Sequence, residues 1–215
     1  MTLDLVLLAF HGDRLQVLVG SEPDGGGRAR RELPWVPYDG AESLDVAVRQ
    51  ATREVLGAVP GWLEQAGAFD ARKRHPGEGG ISIAFVGLMG DGSDIAAQYT
   101  WADLETLGSI PARQKAMLES ALEMLRNRLD FEPLAFRLLP GAFTLTALQQ
   151  IYEQLLGQPL HKASFRRALQ AAELVQPLNE FRTEGRGRPA QLFRYAPRLR
   201  KPPARSARFD LLERF

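Results

Sequence analysis

The sequence predicts an α+β protein of two domains: a mixed sheet packed by helices, then a small helical domain that ends in a hairpin. Strand-like segments lie on both sides of amphipathic helices, and Leu-Leu-Pro-Gly at 138–141 interrupts the chain. Residues 1–160 hold 14 Lys and Arg against 21 Asp and Glu, whereas residues 161–215 hold 13 against 5. This split predicts an acidic body and a basic module that meets a polyanion. The alternative is a solvated surface followed by an arginine-rich tail.

Composition limits the class of protein. The 215 residues are 45% hydrophobic and 25% charged, as in ordinary globular proteins. The chain has no cysteine, which excludes disulfides, thiolate zinc sites and a cysteine nucleophile and predicts a cytoplasmic protein. No apolar run approaches the roughly 20 residues that span a bilayer. The first 20 residues are typical of a β-hairpin rather than a signal peptide.

The first domain is predicted to contain four strands and two long helices. The strands are expected at 3–10, 15–20, 81–90 and around 98–101, with a turn at 11–14 and a glycine-rich loop at 24–27. One helix is predicted between Ser43, as its cap, and Gly57, and the other at 112–129. The three histidines, His11, His75 and His161, lack metal-ligand spacing, so each is expected at the surface.

The second domain is predicted to be a winged helix-turn-helix. A helix within 143–157 begins at Thr144 or at Thr146, which has Gln149 three residues later, and ends at Gly157. A second helix within 161–174 buries Phe165, Ala168, Leu169 and Ala172. Two short strands at 174–178 and 190–195 then flank the turn Thr-Glu-Gly-Arg-Gly-Arg at 183–188.

The polar residues of this second domain predict a DNA-binding surface. The residues expected to contact DNA are Lys162, Ser164, Arg166 and Arg167 on the second helix, and Arg186 and Arg188 on the hairpin. The alternative is a protein-interaction domain whose arginines are only solvated. RNA binding is disfavoured, because no aromatic platform accompanies the basic cluster.

The segments "FTLTALQQIYEQLLGQPLHKASFRRAL" and "GRGRPAQLFRY" resemble the C-terminal domain of the Nudix-related transcriptional regulators. Upstream, "LPWVPYDGAESLDVAV", "WLEQAGAFDARKRHP" and "LEMLRNRLDFEPLAFRLLP" are also similar to that family. The resemblance reaches to about Pro197. It implies a Nudix-like α/β/α sandwich at 1–140, a winged helix-turn-helix at 141–197 and a basic flexible tail at 198–215.

The Nudix box is degenerate. When the family pattern is laid on Glu42 without gaps, Gln50, Ala51 and Val55 replace its arginine and two of its glutamates, and Glu54 remains. Every other register also leaves one carboxylate of three. A divalent metal needs several oxygen ligands, so we expect no metal site, no catalytic residues, no cofactor and no hydrolase activity.

The resemblance therefore implies a transcriptional regulator, with repressor favoured over activator, that binds an operator as a homodimer. Its Nudix-like domain is expected to bind a small effector, in this family often ADP-ribose or a related NAD metabolite. The effector residues that the resemblance implies are Glu42, Glu54 and Arg74, with Phe69 as a core landmark. The alternatives are an active nucleoside-diphosphate hydrolase with an accessory domain, and a protein- or RNA-binding adaptor on an inactive Nudix fold.

Overall fold

The computed structural model describes residues 1–23, 29–90, 94–129, 131–183 and 189–197. The chain divides into two compact units, Met1–Met124 and Leu125–Phe215. This division falls earlier than the predicted domain boundary after residue 140. It places a short 3-10 helix, Leu134–Leu138, in the second unit, where its buried Leu134 and Phe136 belong to that unit's core. None of the helices in the described residues is long and apolar enough to cross a membrane.

The first unit is built on a mixed sheet to which seven strands of the described chain belong. The strands are β1 (Thr2–His11), β2 (Arg14–Pro23), β3 (Ala29–Glu32), β4 (Trp35–Pro37), β5 (Trp62–Asp70), β6 (Ile81–Met89) and β7 (Tyr99–Asp103). The main order is β3-β2-β1-β6-β5, while β4 pairs with β1 and β7 with β2. β1 and β6 run parallel, from Thr2 beside Ser82 to Ala9 beside Met89, and the other pairs are antiparallel.

Helix α1 (Leu44–Leu56) covers one face of this sheet. Its buried Val48, Ala51 and Val55 join a core with the leucines at positions 3, 5 and 7 of β1. The Ser43 hydroxyl accepts a hydrogen bond from the backbone N–H of Val46 at 3.4 Å, and Gly57 ends the helix at φ 68°. Both predicted ends of the helix are confirmed, since a side-chain oxygen caps the start and only glycine adopts a left-handed φ at little cost.

The second unit contains the predicted helix pair and hairpin. Helix α2 (Ala112–Arg128) contains the division between the units; β8 (Phe143–Thr144), α3 (Leu145–Leu156), α4 (Lys162–Ala172), β9 (Val175–Arg182) and β10 (Ala190–Tyr195) follow. The Thr144 hydroxyl caps α3 by accepting from the Ala147 N–H at 3.1 Å. Thr146 lies inside the helix, so the alternative cap is wrong. β8, β10 and β9 form a small antiparallel sheet in that order.

Three strands of the first unit, β3, β4 and β5, were not predicted. β5 gives a weak pattern because its residues are half-buried or exposed and a bulge between Gln65 and Gly67 breaks its alternation. In α4, Phe165 and Leu169 are buried as predicted, but Ala172 in the last turn is exposed. A side chain at the end of a helix can leave the core even when its periodicity matches.

Candidate nucleic-acid interface and effector site

Helix α4 presents a basic face opposite its buried face. Lys162, Arg166 and Arg167 are exposed, and Ser164 is half-buried between them. Arg167 Nη2 donates to the Ser164 hydroxyl at 3.5 Å. A surface helix with a fixed apolar side and free cationic side chains on the other can lie in a DNA groove.

The buried side of α4 is fixed by an aromatic contact. Phe165 packs edge-on against Tyr152 of α3, with 5.4 Å between ring centroids, and both side chains are fully buried. Leu169 is buried one turn later. Such packing sets the rotation of α4 about its own axis and therefore determines which residues face outward.

A polar clamp holds the turn between α3 and α4. One carboxylate oxygen of Glu153 accepts from the backbone N–H of Leu160 at 2.8 Å and from the Gln149 amide at 2.9 Å. The same Gln149 amide donates to the Leu160 carbonyl at 3.0 Å. Both polar groups of the Leu160 backbone are thereby fixed two residues before α4 begins. Sequence analysis missed this clamp, although Gln149 and Glu153 are one helical turn apart.

The hairpin that follows α4 is exposed and braced. Arg194 of β10 donates to the Gln176 side-chain oxygen of β9 from two nitrogens, at 3.0 and 2.7 Å. Leu192 is buried and pairs with Thr144 of β8, which ties the hairpin to the start of α3. Arg186, Arg188 and the tail 198–215 lie outside the described residues, so their predicted roles stay predictions.

In the first unit, α1 occupies the position of the Nudix box. Its acidic residues are Asp45, which pairs with Arg49 at 2.9 Å, and Glu54, whose carboxylate accepts from the Gln50 amide at 3.1 Å. Within the described ranges, no group of three or more acidic, histidine or cysteine side chains could hold a metal ion. These residues do not fit a Nudix magnesium site, because two separate and already bonded carboxylates cannot supply its ligands.

Tyr99 lies in the same part of the unit as Glu54. Burial raises the pKa of the Tyr99 phenol, and the nearby Glu32 and Glu54 carboxylates raise it further. The Tyr99 hydroxyl is therefore protonated at neutral pH and available as a hydrogen-bond donor. Sequence analysis had not associated Glu32 or Tyr99 with Glu54, because they lie on separate strands, β3 and β7.

The predicted effector residues are spread over the unit. Glu42 is exposed two residues before α1 begins and Glu54 is exposed in the last turn of α1, so most of the length of the helix separates them. Arg74 is exposed in the connection between β5 and β6, and its carbonyl accepts from the Arg113 N–H at 3.0 Å. Phe69 is half-buried rather than a core residue.

The prediction that all three histidines lie at the surface is wrong for His75. Its Nε2 lies 2.6 Å from a carboxylate oxygen of Asp4, and both side chains are fully buried. His11 is half-buried, with 5.4 Å between its ring centroid and that of Trp101, and His161 is exposed. No sequence pattern indicates this pair, because Asp4 lies within an apolar strand 71 residues away from His75.

Comparison with known proteins identifies the second unit. Residues 135–195 match the family of the NrtR DNA-binding winged helix domain. The chain is 26% identical over 205 residues to the ADPR responsive transcriptional repressor NtrR of Acinetobacter baylyi, a match that covers 91% of this chain and 82% of the relative. The predicted winged helix and the family resemblance are confirmed.

Two solved structures match over nearly the whole chain. Shewanella oneidensis NrtR in complex with a 27mer DNA has 27% identity and a TM-score of 0.71, covering 92% of this chain and 94% of that one. A MutT/nudix family protein from Enterococcus faecalis, at 21% identity and a TM-score of 0.68, covers 91% and 87% and shows the fold. With a Nudix fold in the first part and a match to the NrtR winged helix domain in the second, the chain is similar to the Nudix-related transcriptional regulators over nearly its whole length.

Proposed function

We propose that this protein is a transcriptional repressor that binds operator DNA through α4 and responds to a small nucleotide effector. The observation that carries the proposal is the exposed basic face of α4, opposite the buried Phe165 and Leu169. Its support is the similarity of the whole chain to an NrtR that was crystallised with DNA. A basic helix held rigidly on a two-helix scaffold is suited to the major groove.

The basic residues divide into two proposed roles. Ser164 and Arg167, followed by Arg166, read base edges, because the hydroxyl and guanidinium groups can hydrogen-bond in the major groove. Lys162, Arg186 and Arg188 contact phosphates, which contribute affinity and salt dependence rather than sequence choice.

The proposed effector is ADP-ribose, taken from the name of the Acinetobacter baylyi relative. This ligand carries two ribose groups on either side of a diphosphate. Arg74 is the proposed contact of the diphosphate, since a guanidinium matches phosphate oxygens. Glu42 and Glu54, near the two ends of α1, are the proposed acceptors for ribose hydroxyl groups.

We further propose that the Nudix-like unit does not hydrolyse its ligand. The reason is the separation of Asp45 and Glu54 and their engagement by Arg49 and Gln50. The measurement is release of AMP from ADP-ribose with Mg²⁺ or Mn²⁺, where turnover should equal the background. A turnover that disappears in the Glu54→Gln variant would refute this part of the proposal.

The experiment that tests the function is a gel shift with the DNA upstream of the protein's own gene. The protein should retard this duplex at concentrations that leave a shuffled duplex of equal length free. Added ADP-ribose should release it. Sedimentation of the same complex should give two chains per operator, because paired half-sites call for a two-fold dimer. Equal retardation of both duplexes would contradict operator recognition.

A further inference from the structure

The connection between β5 and β6 contains a run of basic residues, although the first unit as a whole has more acidic than basic residues. Residues 1–124 hold 11 Lys and Arg against 18 Asp and Glu, yet Arg72, Lys73 and Arg74 follow one another in this connection and all are exposed. Arg72 is bound to Asp70 at 2.6 Å. Within the part of the chain that the structure describes, no acidic side chain pairs with Lys73 or Arg74. These two cations are therefore available to an anion from outside.

The buried guanidinium of Arg113 holds the backbone of this run in place through hydrogen bonds. Its Nε donates to the Lys73 carbonyl at 3.0 Å and its Nη1 donates to the Gly79 carbonyl at 2.8 Å. The Arg113 backbone N–H donates to the Arg74 carbonyl at 3.0 Å. One arginine, only 4% exposed, thus fixes both the beginning and the end of the connection.

His75 fastens the middle of the connection to β1. The Gly77 N–H lies 2.9 Å from His75 Nδ1, so this nitrogen accepts, and Nε2 carries the proton that is donated to Asp4. Trp35 packs edge-on against the imidazole with 5.3 Å between ring centroids. A Cβ on Gly77 would lie 2.8 Å from the Trp35 ring, so the backbone passes directly beneath it.

The two buried charges are connected by hydroxyl groups. Arg113 Nη1 donates to the Ser82 hydroxyl at 3.2 Å, and the Ser82 and Thr2 hydroxyl oxygens are 2.7 Å apart. Thr2 also lies 2.9 Å from an Asp4 carboxylate oxygen. Because a hydroxyl has one proton, Thr2 donates to Asp4 and accepts from Ser82. The charges of the arginine and the aspartate compensate one another.

Such a network costs desolvation energy that an apolar interior would not. A buried polar network is fully satisfied only in one geometry, so it specifies the position of whatever it holds. Here it holds the backbone that carries Lys73 and Arg74. A preorganised cationic segment binds an anion without the entropy cost of ordering a loop.

We propose that the buried Asp4–His75–Arg113 network is a positioning device that fixes Lys73 and Arg74 as the binding site for the diphosphate of the effector. The inference rests on the proposed function and extends it to the residues that act through Arg74. Arg74 and Lys73 contact the ligand; Asp4, His75 and Arg113 do not.

The test is a double-mutant cycle on the full chain, with ADP-ribose affinity measured by calorimetry. Arg74→Ala should weaken binding about tenfold or more, as the loss of a charge-assisted contact predicts. Arg72→Ala removes the same charge from the same connection and should leave the affinity unchanged, because Asp70 engages that guanidinium. His75→Asn should weaken binding in the wild-type background and cause a clearly smaller loss in the Arg74→Ala background, where only Lys73 is left to be positioned.

The cycle separates positioning from general damage. If His75→Asn lowers the affinity equally in both backgrounds, the network acts on the whole unit and the proposal is overturned. Trypsin cleavage after residues 72–74 is a second readout that does not depend on the effector, so it can be measured even where a variant of the cycle folds too poorly for calorimetry. These bonds should resist cleavage in the wild type and be cut faster in His75→Asn. Equal cleavage rates would also overturn it.

The controls distinguish this inference from the proposed function. If the wild type binds ADP-ribose and Arg74→Ala binds it equally well, the proposed diphosphate site is wrong but the proposed effector is still supported. If the wild type binds neither ADP-ribose nor inorganic pyrophosphate, both the proposed diphosphate site and the proposed effector are wrong. Operator binding without effector should be the same in all folded variants.

Discussion

The two units are held together in different ways. In the first, buried polar residues connect segments far apart in sequence: His75 is 71 residues from Asp4, and Gln114 is 110 residues from Asp4 and 81 from Leu33. In the second, the polar contacts that cap α3 and hold the turn before α4 are local, with Thr144 three residues from Ala147 and Glu153 seven from Leu160, and the contact of Arg126 with the Leu155 carbonyl spans 29 residues.

This difference matches the proposed tasks of the two units. A ligand site must bring together groups from several strands, which requires long-range contacts. A recognition helix needs one orientation on a small scaffold, which a cap, an aromatic pair and a clamped turn provide. Substitutions should therefore affect one unit without the other, and each prediction below tests that separation.

The largest effect is expected from Phe165→Ala. Removing a fully buried aromatic ring that packs on Tyr152 should destabilise the second unit by about 3–5 kcal/mol and abolish operator binding. The protein's three tryptophans, Trp35, Trp62 and Trp101, lie in the first unit. The unfolding transition that their fluorescence reports should therefore be the same as in the wild type. Phe181→Ala is the matched control, since Phe181 is 62% exposed and its loss should cost less than about 0.5 kcal/mol.

The corresponding substitution in the first unit is Asp4→Asn. It leaves the Arg113 charge buried without its compensating carboxylate and should cost about 3 kcal/mol. Tryptophan fluorescence in urea reports it directly, because Trp35 contacts His75. Asp45→Asn removes the same charge from an exposed pair with Arg49 and should change the stability by at most about 0.5 kcal/mol. Equal costs for the two variants would show that the buried network contributes little.

The same difference explains what the sequence could predict. Helices α1 and α3 follow from local signals at their ends, Ser43 and Gly57 for α1 and Thr144 and Gly157 for α3, and α4 follows from the spacing of its buried Phe165 and Leu169. Asp4 gives no such signal, because its partners approach only after β1, β6 and α2 have assembled. β4 was missed for the same reason: its three residues become a strand only by pairing with β1.

A smaller effect is expected from Arg167→Ala on α4. Arg167 is exposed, so the fold should be unchanged, while affinity for the cognate operator should fall by about 1–3 kcal/mol and discrimination at one base pair should be lost. Binding to a panel of single-base operator variants measures this. An equal loss on every duplex would make Arg167 a phosphate contact instead.

Arg188→Ala is the matched control on the hairpin. It should weaken binding to all duplexes alike and reduce the salt slope by about one. If it instead lowers the melting temperature and leaves the affinity of the folded protein unchanged, Arg188 braces the hairpin, as Arg194 does through Gln176. The basic residues were identifiable from charge and spacing, but their division into base and phosphate contacts depends on the orientation of α4.

The smallest effect is expected from Glu153→Gln, which examines how α4 is oriented. Glutamine can still accept from the Leu160 N–H but is neutral, so the charge-assisted hydrogen bond becomes an ordinary one, a loss of about 1 kcal/mol. The exposed face of α4 is unchanged. Operator affinity should therefore fall together with the stability of the second unit, while ADP-ribose affinity and tryptophan fluorescence remain those of the wild type.

A Gln149→Ala variant should behave in the same way. The double variant with Glu153→Gln should lose less stability than the sum of the two single losses, because both side chains act on Leu160. Strict additivity would mean that Gln149 and Glu153 act independently, and the local clamp would then not be the element that orients the recognition helix.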